Sequence, residues 1–308
     1  MSSWKDGTKT RYATYISRWI LYCNRLSTDP FNTSVHTALN FLADQYHTQD
    51  LGYSAVNTAR SALSAILTLT DSPGVTFGSH KLVARFMKGI FVERPSLPRY
   101  SVTWDVDIVL DYLKTISIND ISLNMLTKKL ALLLALCSAQ RVQTIKAIKL
   151  SQAHITESAC IFYLDSVLKT TTPRRHQSPL EFSLFCEANL CIVRHVNMYI
   201  DMTKNIRGGS DQLLISYVTP YKPVSRDTIA RWLKCMLTMS GVDTKVFSAH
   251  STRSAATSKM HSCGEPIDLI LKSAGWSTES TFAKFYKRSV TVTRSFSSDI
   301  LEQSTEKK

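Results

Sequence analysis

Acidic residues are scarce in this chain. Its 308 residues include 24 Asp+Glu against 37 Lys+Arg, a formal charge of +13 with a pI near 9.4. Such a balance calls for a polyanionic partner, nucleic acid ahead of a membrane surface. Long apolar runs are also missing. The longest, Leu130 to Cys137, stops at eight residues, far short of the roughly 20 that a helical membrane span needs. The N-terminal stretch is polar and runs into Lys9 and Arg11 without an apolar block, so the expectation is a protein that is not secreted. The seven cysteines (Cys23, Cys137, Cys160, Cys186, Cys191, Cys235, Cys263) are odd in number and scattered, with no C-x-x-C pair. They read as buried thiols in a reducing compartment, not as a disulfide frame or a metal site. No internal repeat or low-complexity segment is present. Hydrophobic residues at 44% and charged residues at 20% are ordinary globular values, which sets aside disordered, collagen-like and coiled-coil chains. The length points to two domains.

Periodicity predicts a helical first region. Tyr12, Tyr15, Ile16, Trp19, Ile20 and Cys23 recur at three- and four-residue steps and make one face of a helix over 8–26, ended by Asp29-Pro30. A second helix carries Val35, Ala38, Leu39, Leu42 and Tyr46, with Thr33 or Ser34 as its cap. A third carries Val56, Ala59, Leu63, Ile66 and Leu67, closed by the turn residues Asp71-Ser72-Pro73-Gly74. A fourth holds Leu82, Val83, Phe86, Met87 and Ile90. Two prolines in Glu93–Thr103 stiffen a linker. Beyond it, helices are predicted over 104–114, 127–137 and 141–149. Residues 160–164, 166–168 and 180–184 then read as two or three short antiparallel strands, rich in β-branched and aromatic residues. Helices return over 188–203, 226–240, 251–263, 266–274 and 278–286. The fold class is therefore mainly α with a small antiparallel sheet in the second domain. Residues 1–94 carry +4 and residues 95–308 carry +9. Two basic bodies on a short linker suggest a clamp around a DNA duplex.

The second region holds groups suited to a phosphodiester. Arg141 follows the apolar helix in Ala139-Gln-Arg-Val-Gln-Thr. His250 and Arg253 stand three apart at the predicted start of a helix, in His-Ser-Thr-Arg-Ser, and so share a face. Gly275-Trp276-Ser-Thr-Glu-Ser-Thr-Phe leads to Tyr286, flanked by Lys284, Lys287 and Arg288. Two arginines can hold non-bridging oxygens with forked hydrogen bonds and stabilise the charge of an in-line displacement. A tyrosine, with a pKa of about 10, becomes a nucleophile when cations favour its phenolate and a base such as His250 takes the proton. Lys169 can supply a proton to a leaving oxygen. The Arg174-Arg175-His176 turn is a candidate DNA-backbone contact. Taken singly, each has a plainer reading: Arg141 as a helix cap, His250 as a satisfied histidine, Tyr286 as a core aromatic beside Phe282 and Phe285.

Taken in order, Arg141, Lys169, His250, Arg253, Trp276 and Tyr286 resemble the catalytic set of the tyrosine recombinases, the phage-integrase family. The phrases around Arg141, His250 and Trp276 look most like recombinases of eukaryotic mobile elements of the DIRS and Crypton kind. The chain departs from the family pattern at Thr144, where many members are acidic, at Gln140, where glycine is common, and at Trp276, more often histidine. The resemblance implies a C-shaped, two-domain DNA clamp: a core-binding domain (1–94), a linker (95–102), a catalytic domain (103–290) and a tail (291–308). It implies strand cleavage through a 3′-phosphotyrosyl intermediate without metal or nucleotide cofactor, in a homotetramer on paired duplexes, with no membrane partner. The tail, through Phe296 and Ile300-Leu301, would dock on a neighbouring subunit. A nuclear location is the expectation in a eukaryote, cytoplasmic otherwise. Two alternatives remain open: a decayed or domesticated recombinase that binds DNA without cutting, and a type IB topoisomerase-like activity.

Overall fold

The structure is a computed structural model that describes residues 4–96, 102–168, 171, 177–286 and 288–290. The chain divides into two compact units, Met1–Pro98 and Arg99–Lys308. Among the described residues, no helix is long and apolar enough to cross a membrane.

The first unit holds helices α1 (Asp6–Leu26), α2 (Val35–His47), α3 (Tyr53–Ser64) and α4 (Lys81–Glu93). They close on a core of Trp19, Phe41, Leu42, Leu63 and Phe77, all fully buried. Ser34 caps α2 by accepting the Thr37 amide at 3.2 Å, and the Asp71 carboxylate accepts the Val35 amide at 3.0 and 3.1 Å. The predicted turn at 71–74 therefore also finishes the start of α2. The third helix is shorter than its periodicity suggests. It stops at Ser64, and Ile66 and Leu67 lie in the turn after it. Thr68 and Thr70 donate instead to the carbonyls of Phe31 and Thr33, pairing β1 (Asn32–Thr33) in parallel with β2 (Thr68–Leu69). Non-local pairing thus overrides a local helical pattern.

The second unit is built around α6 (Leu123–Ser138), whose residues Lys129–Leu136 are buried on every side. A helix apolar all round belongs in a core, and α6 packs against α8 (Ile192–Thr203), α9 (Arg226–Met239) and α10 (Ser251–Ser262). Completing the unit are α5 (Val106–Thr115), α7 (Val142–Lys146), α11 (Ile267–Ala274) and α12 (Glu279–Phe285). An antiparallel sheet of order β4-β5-β6 joins Ala153–Ile155, Ala159–Phe162 and Leu180–Ser183. Its first strand was not foreseen, and residues 166–168 lie outside it. The Thr156 hydroxyl accepts the amides of Ser158 and Ala159, which closes a tight β4–β5 hairpin and pairs Ile155 with Cys160. Elsewhere α7 ends at Lys146, three residues before the predicted end. A 3-10 turn at Ala188–Leu190 stands where the next helix was expected to begin. Finally, β3 (Val102–Thr103) pairs in parallel with β7 (Ser289–Val290).

Two titratable side chains are buried in this core. The Lys129 amine donates to the Ile116 carbonyl at 2.6 Å, and burial pushes it down to about 8. His195 is fully buried and bonds the Cys191 carbonyl through Nδ1 at 2.8 Å, so Nδ1 carries the proton. Its Nε2 has no partner among the described residues. Burial above all, with Lys129 adding, pushes the imidazole down to about 4. A base whose folded pKa lies below its unfolded value of about 6.5 makes the unfolded chain bind more protons between those values, so stability falls as pH drops through that window. The expected loss between pH 6.5 and pH 4 is about 3 kcal/mol. His195→Leu should flatten this part of the pH dependence in urea unfolding. An unchanged slope would show that His195 does not carry it.

Candidate active site

The C-terminal ends of α6 and α11 meet the N-terminal end of α10. Helix α6 ends at Ala139, a residue in the left-handed region at φ 50°. Helix α11 ends in a Schellman motif, with Gly275 at φ 64° and the Trp276 and Gly275 amides returned to the carbonyls of Leu271 and Lys272. The positive φ at 275 favours glycine. Beyond its positive φ, a Cβ there would sit 3.0 Å from the Gln177 side-chain amide.

Between these ends lies Arg253, 1% exposed. Its two terminal nitrogens donate to the carbonyls of Ala139, at 3.0 Å, and Ala274. Its guanidinium carbon lies 4.4 Å from the centre of the Trp276 ring and 5.4 Å from that of Tyr286. No carboxylate forms an ion pair with it among the described residues, and its Nε has no partner among them. Burial first, then the positive charge of Arg141, pushes Arg253 down to about 9, which leaves it charged at neutral pH. Arg141 itself is half-buried and stands at the N-cap of α7.

Tyr286 follows α12 directly. Its ring lies 4.3 Å from that of Trp276, tilted by 35°, and its hydroxyl is 3.1 Å from His250 Nε2. His250 is exposed and sits at the N-cap of α10. If Nε2 accepts, the phenol proton already points at a base. The structure thus brings together His250, Arg253, Trp276 and Tyr286, with Arg141 close enough to bear on Arg253. The amide of Arg288 donates to Ser258 Oγ at 3.0 Å. Lys169, Arg174, Arg175 and Lys287 lie outside the described residues, as does the side chain of Lys284 and the whole of 291–308.

Several supporting groups escaped the sequence reading. Thr144 donates to Gln140 Oε1 at 3.1 Å, and Gln140 Nε2 donates to the Ser273 carbonyl. The two residues that depart from the family pattern therefore bond each other and tie the turn bearing Arg141 to the end of α11. The Trp104 indole donates to Ser251 Oγ at 2.8 Å. Ser254 and Ser258 stand four apart on α10. Their acceptor, the Tyr286 carbonyl, lies 32 and 28 residues away in sequence, beyond the reach of local pattern. Since Arg253 bridges two carbonyls that a lysine amine cannot span in the same fork, Arg253→Lys should lower the stability of the folded chain by about 2 kcal/mol. Urea unfolding would measure this, and an unshifted midpoint would overturn the bridging role.

The Phage integrase family model matches residues 109–291. Among solved structures, the chain is similar to the Tn1549 transposon integrase in complex with a circular intermediate DNA. That match has a TM-score of 0.63 and 13% identity, over 99% of this chain and 95% of that one. It is also similar to a lambda integrase dimer bound to a COC′ core site, at TM-score 0.54 and 16% identity over 95% and 92% of the two chains. A lambda integrase tetramer bound to a Holliday junction matches at TM-score 0.54 and 16% identity, over 95% of this chain and 75% of that one. At these identities the likeness is one of fold. Sequence comparison with curated proteins gives no match.

Proposed function

Because the chain belongs to the phage integrase family, the tyrosine recombinases, we propose that it cuts and rejoins duplex DNA at specific sites through Tyr286. The observation that carries this reading is the 3.1 Å contact between the Tyr286 hydroxyl and His250 Nε2, beside the buried Arg253 guanidinium.

In the cleavage step, the Tyr286 oxygen attacks the scissile phosphorus and its proton passes to His250 Nε2. The bond from phosphorus to the 5′ oxygen breaks, and that oxygen takes a proton, which we assign to Lys169. The products are a 3′-phosphotyrosyl ester and a free 5′ hydroxyl. A 5′ hydroxyl from the partner duplex then attacks the ester and Tyr286 leaves. Arg141 and Arg253 hold the non-bridging oxygens, where charge builds up. Trp276 gives Tyr286 a flat apolar backing and keeps the Arg253 fork in place.

Residues 1–94 would grip the duplex as a core-binding domain, 95–102 would link it to the catalytic domain at 103–290, and Arg174, Arg175, Lys284, Lys287 and Arg288 would contact backbone phosphates. We assign the active form to a homotetramer on two paired sites, the 291–308 tail docking on a neighbouring subunit. The DIRS- and Crypton-like motifs support a mobile-element setting and, in a eukaryotic host, a nuclear one.

A duplex nicked near the crossover, from which the cleaved end diffuses away, should trap a covalent protein–DNA adduct with the wild-type chain. Tyr286→Phe should form none, and an adduct that persists in that variant would sink the assignment. His250→Gln should slow adduct formation by about 10²-fold or more, the usual worth of a positioned base. DNA affinity should fall steeply with salt, by about 10³-fold between 50 and 200 mM for some six phosphate contacts. A flat dependence would count against a grip on backbone phosphates.

A further inference from the structure

Ser254 and Ser258 lie one turn apart on α10, 2% and 4% exposed. Both hydroxyls donate to the same acceptor, the carbonyl oxygen of Tyr286, at 3.1 and 2.8 Å. That uses both lone pairs of the oxygen. Ser258 Oγ also accepts the Arg288 amide at 3.0 Å, so a single hydroxyl ties down the backbone on both sides of residue 287. The Tyr286 amide donates in turn to the Phe282 carbonyl at 2.9 Å, closing the last turn of α12.

Serines inside a helix ordinarily turn back on the preceding turn. Thr257 does so, donating to the Arg253 carbonyl at 2.8 Å. Ser254 and Ser258 instead reach out of α10 to a segment about 30 residues further along the chain. The helix they extend from is the one that carries His250 and Arg253.

From this geometry we propose that Ser254 and Ser258 are positioning residues for strand cleavage, a clamp that holds the Tyr286 backbone so that its hydroxyl stays on the His250 of its own chain. The proposal rests on the recombinase reading for its consequence, and on hydrogen bonds alone for the clamp. Its physical logic is that a tyrosine at the end of a seven-residue helix would otherwise swing. Reaction rates are steep in the placement of the nucleophile, with a misplacement of about 1 Å able to cost about 10²-fold. Both serines are buried and spend their hydroxyl protons on the Tyr286 carbonyl, so the clamp acts on the rate of the bound complex and not on the affinity for DNA.

The test compares the wild-type chain with S254A/S258A, whose alanines favour a helix. At saturating nicked duplex, the rate of adduct formation should fall about tenfold or more, while the DNA concentration giving half the maximal rate stays within about twofold. A change confined to the half-saturating concentration, or none in the rate, would overturn the role. Amide hydrogen exchange of the free protein gives a second readout that needs no activity. Exchange at Arg288 should rise by about tenfold in the variant while 251–262 stays protected. If exchange changes as expected but the wild-type chain forms no adduct, the clamp stands and the recombinase reading falls. If exchange at Arg288 is unaltered, there is no clamp, whatever the chain does to DNA.

Discussion

A buried guanidinium that pairs with no carboxylate among the described residues is the constraint on which the catalytic unit depends. Arg253 is 1% exposed and bonded to backbone carbonyls at the ends of two helices, Ala139 of α6 and Ala274 of α11. A charge so placed would be severely destabilising without compensation. The compensation comes from the ends of two helix macrodipoles, each partly negative, and from the face of Trp276. The choice of partner matters for chemistry. A carboxylate would cancel the positive potential, whereas carbonyl dipoles offset desolvation and leave a net charge facing the rings of Trp276 and Tyr286. The same bonds lock the ends of α6 and α11 to the start of α10, so the placement of this guanidinium and correct packing of three helices are one condition.

Helix α10 illustrates how far polarity has replaced apolar packing here. Eight consecutive residues, Ser251 to Ser258, are buried, and only Ala255 and Ala256 among them are apolar. A helix buried on this scale is normally apolar on the inward face. Here the inward groups are satisfied one by one: Ser251 by Trp104, Arg253 by two carbonyls, Thr257 within the helix, Ser254 and Ser258 by Tyr286. Directional bonds fix rotation and register more tightly than a greasy stripe does. The same bonds hold the start of the helix, where His250 and Arg253 stand close to Tyr286.

Helical periodicity and the spacing of motif residues were legible in the sequence because both are local. The 3.6-residue pattern located α1, α2 and α4, and the order of Arg141, His250, Arg253, Trp276 and Tyr286 pointed to a phosphate-handling set. What stayed hidden was non-local. Ile66 and Leu67 continue a helical stripe, but pairing of 68–69 with 32–33 captures the chain first. Strand β4 was invisible because Ala153-His-Ile is short and carries little β-propensity outside the hairpin that Thr156 closes. At the site, Ala139 and Ala274 act through carbonyls, for which side-chain identity gives no signal. Gln140 and Thr144 looked like losses relative to the family pattern, yet their side chains meet each other and reach the end of α11.

Two like charges near one another also give the site a thermodynamic direction. Arg141 helps push Arg253 below its ordinary value, so part of the folding free energy is spent on holding two cations together. An anion bound close to both would reduce that repulsion. Whatever binds the folded chain and not the unfolded one stabilises it by mass action. The repulsion is present in the free chain and, in the proposed reaction, would be relieved as charge accumulates on the phosphate oxygens. For the proposed displacement that relief would be greatest in the transition state, where the oxygens are most negative, so the same repulsion that weakens the free fold would favour the displacement over the bound ground state.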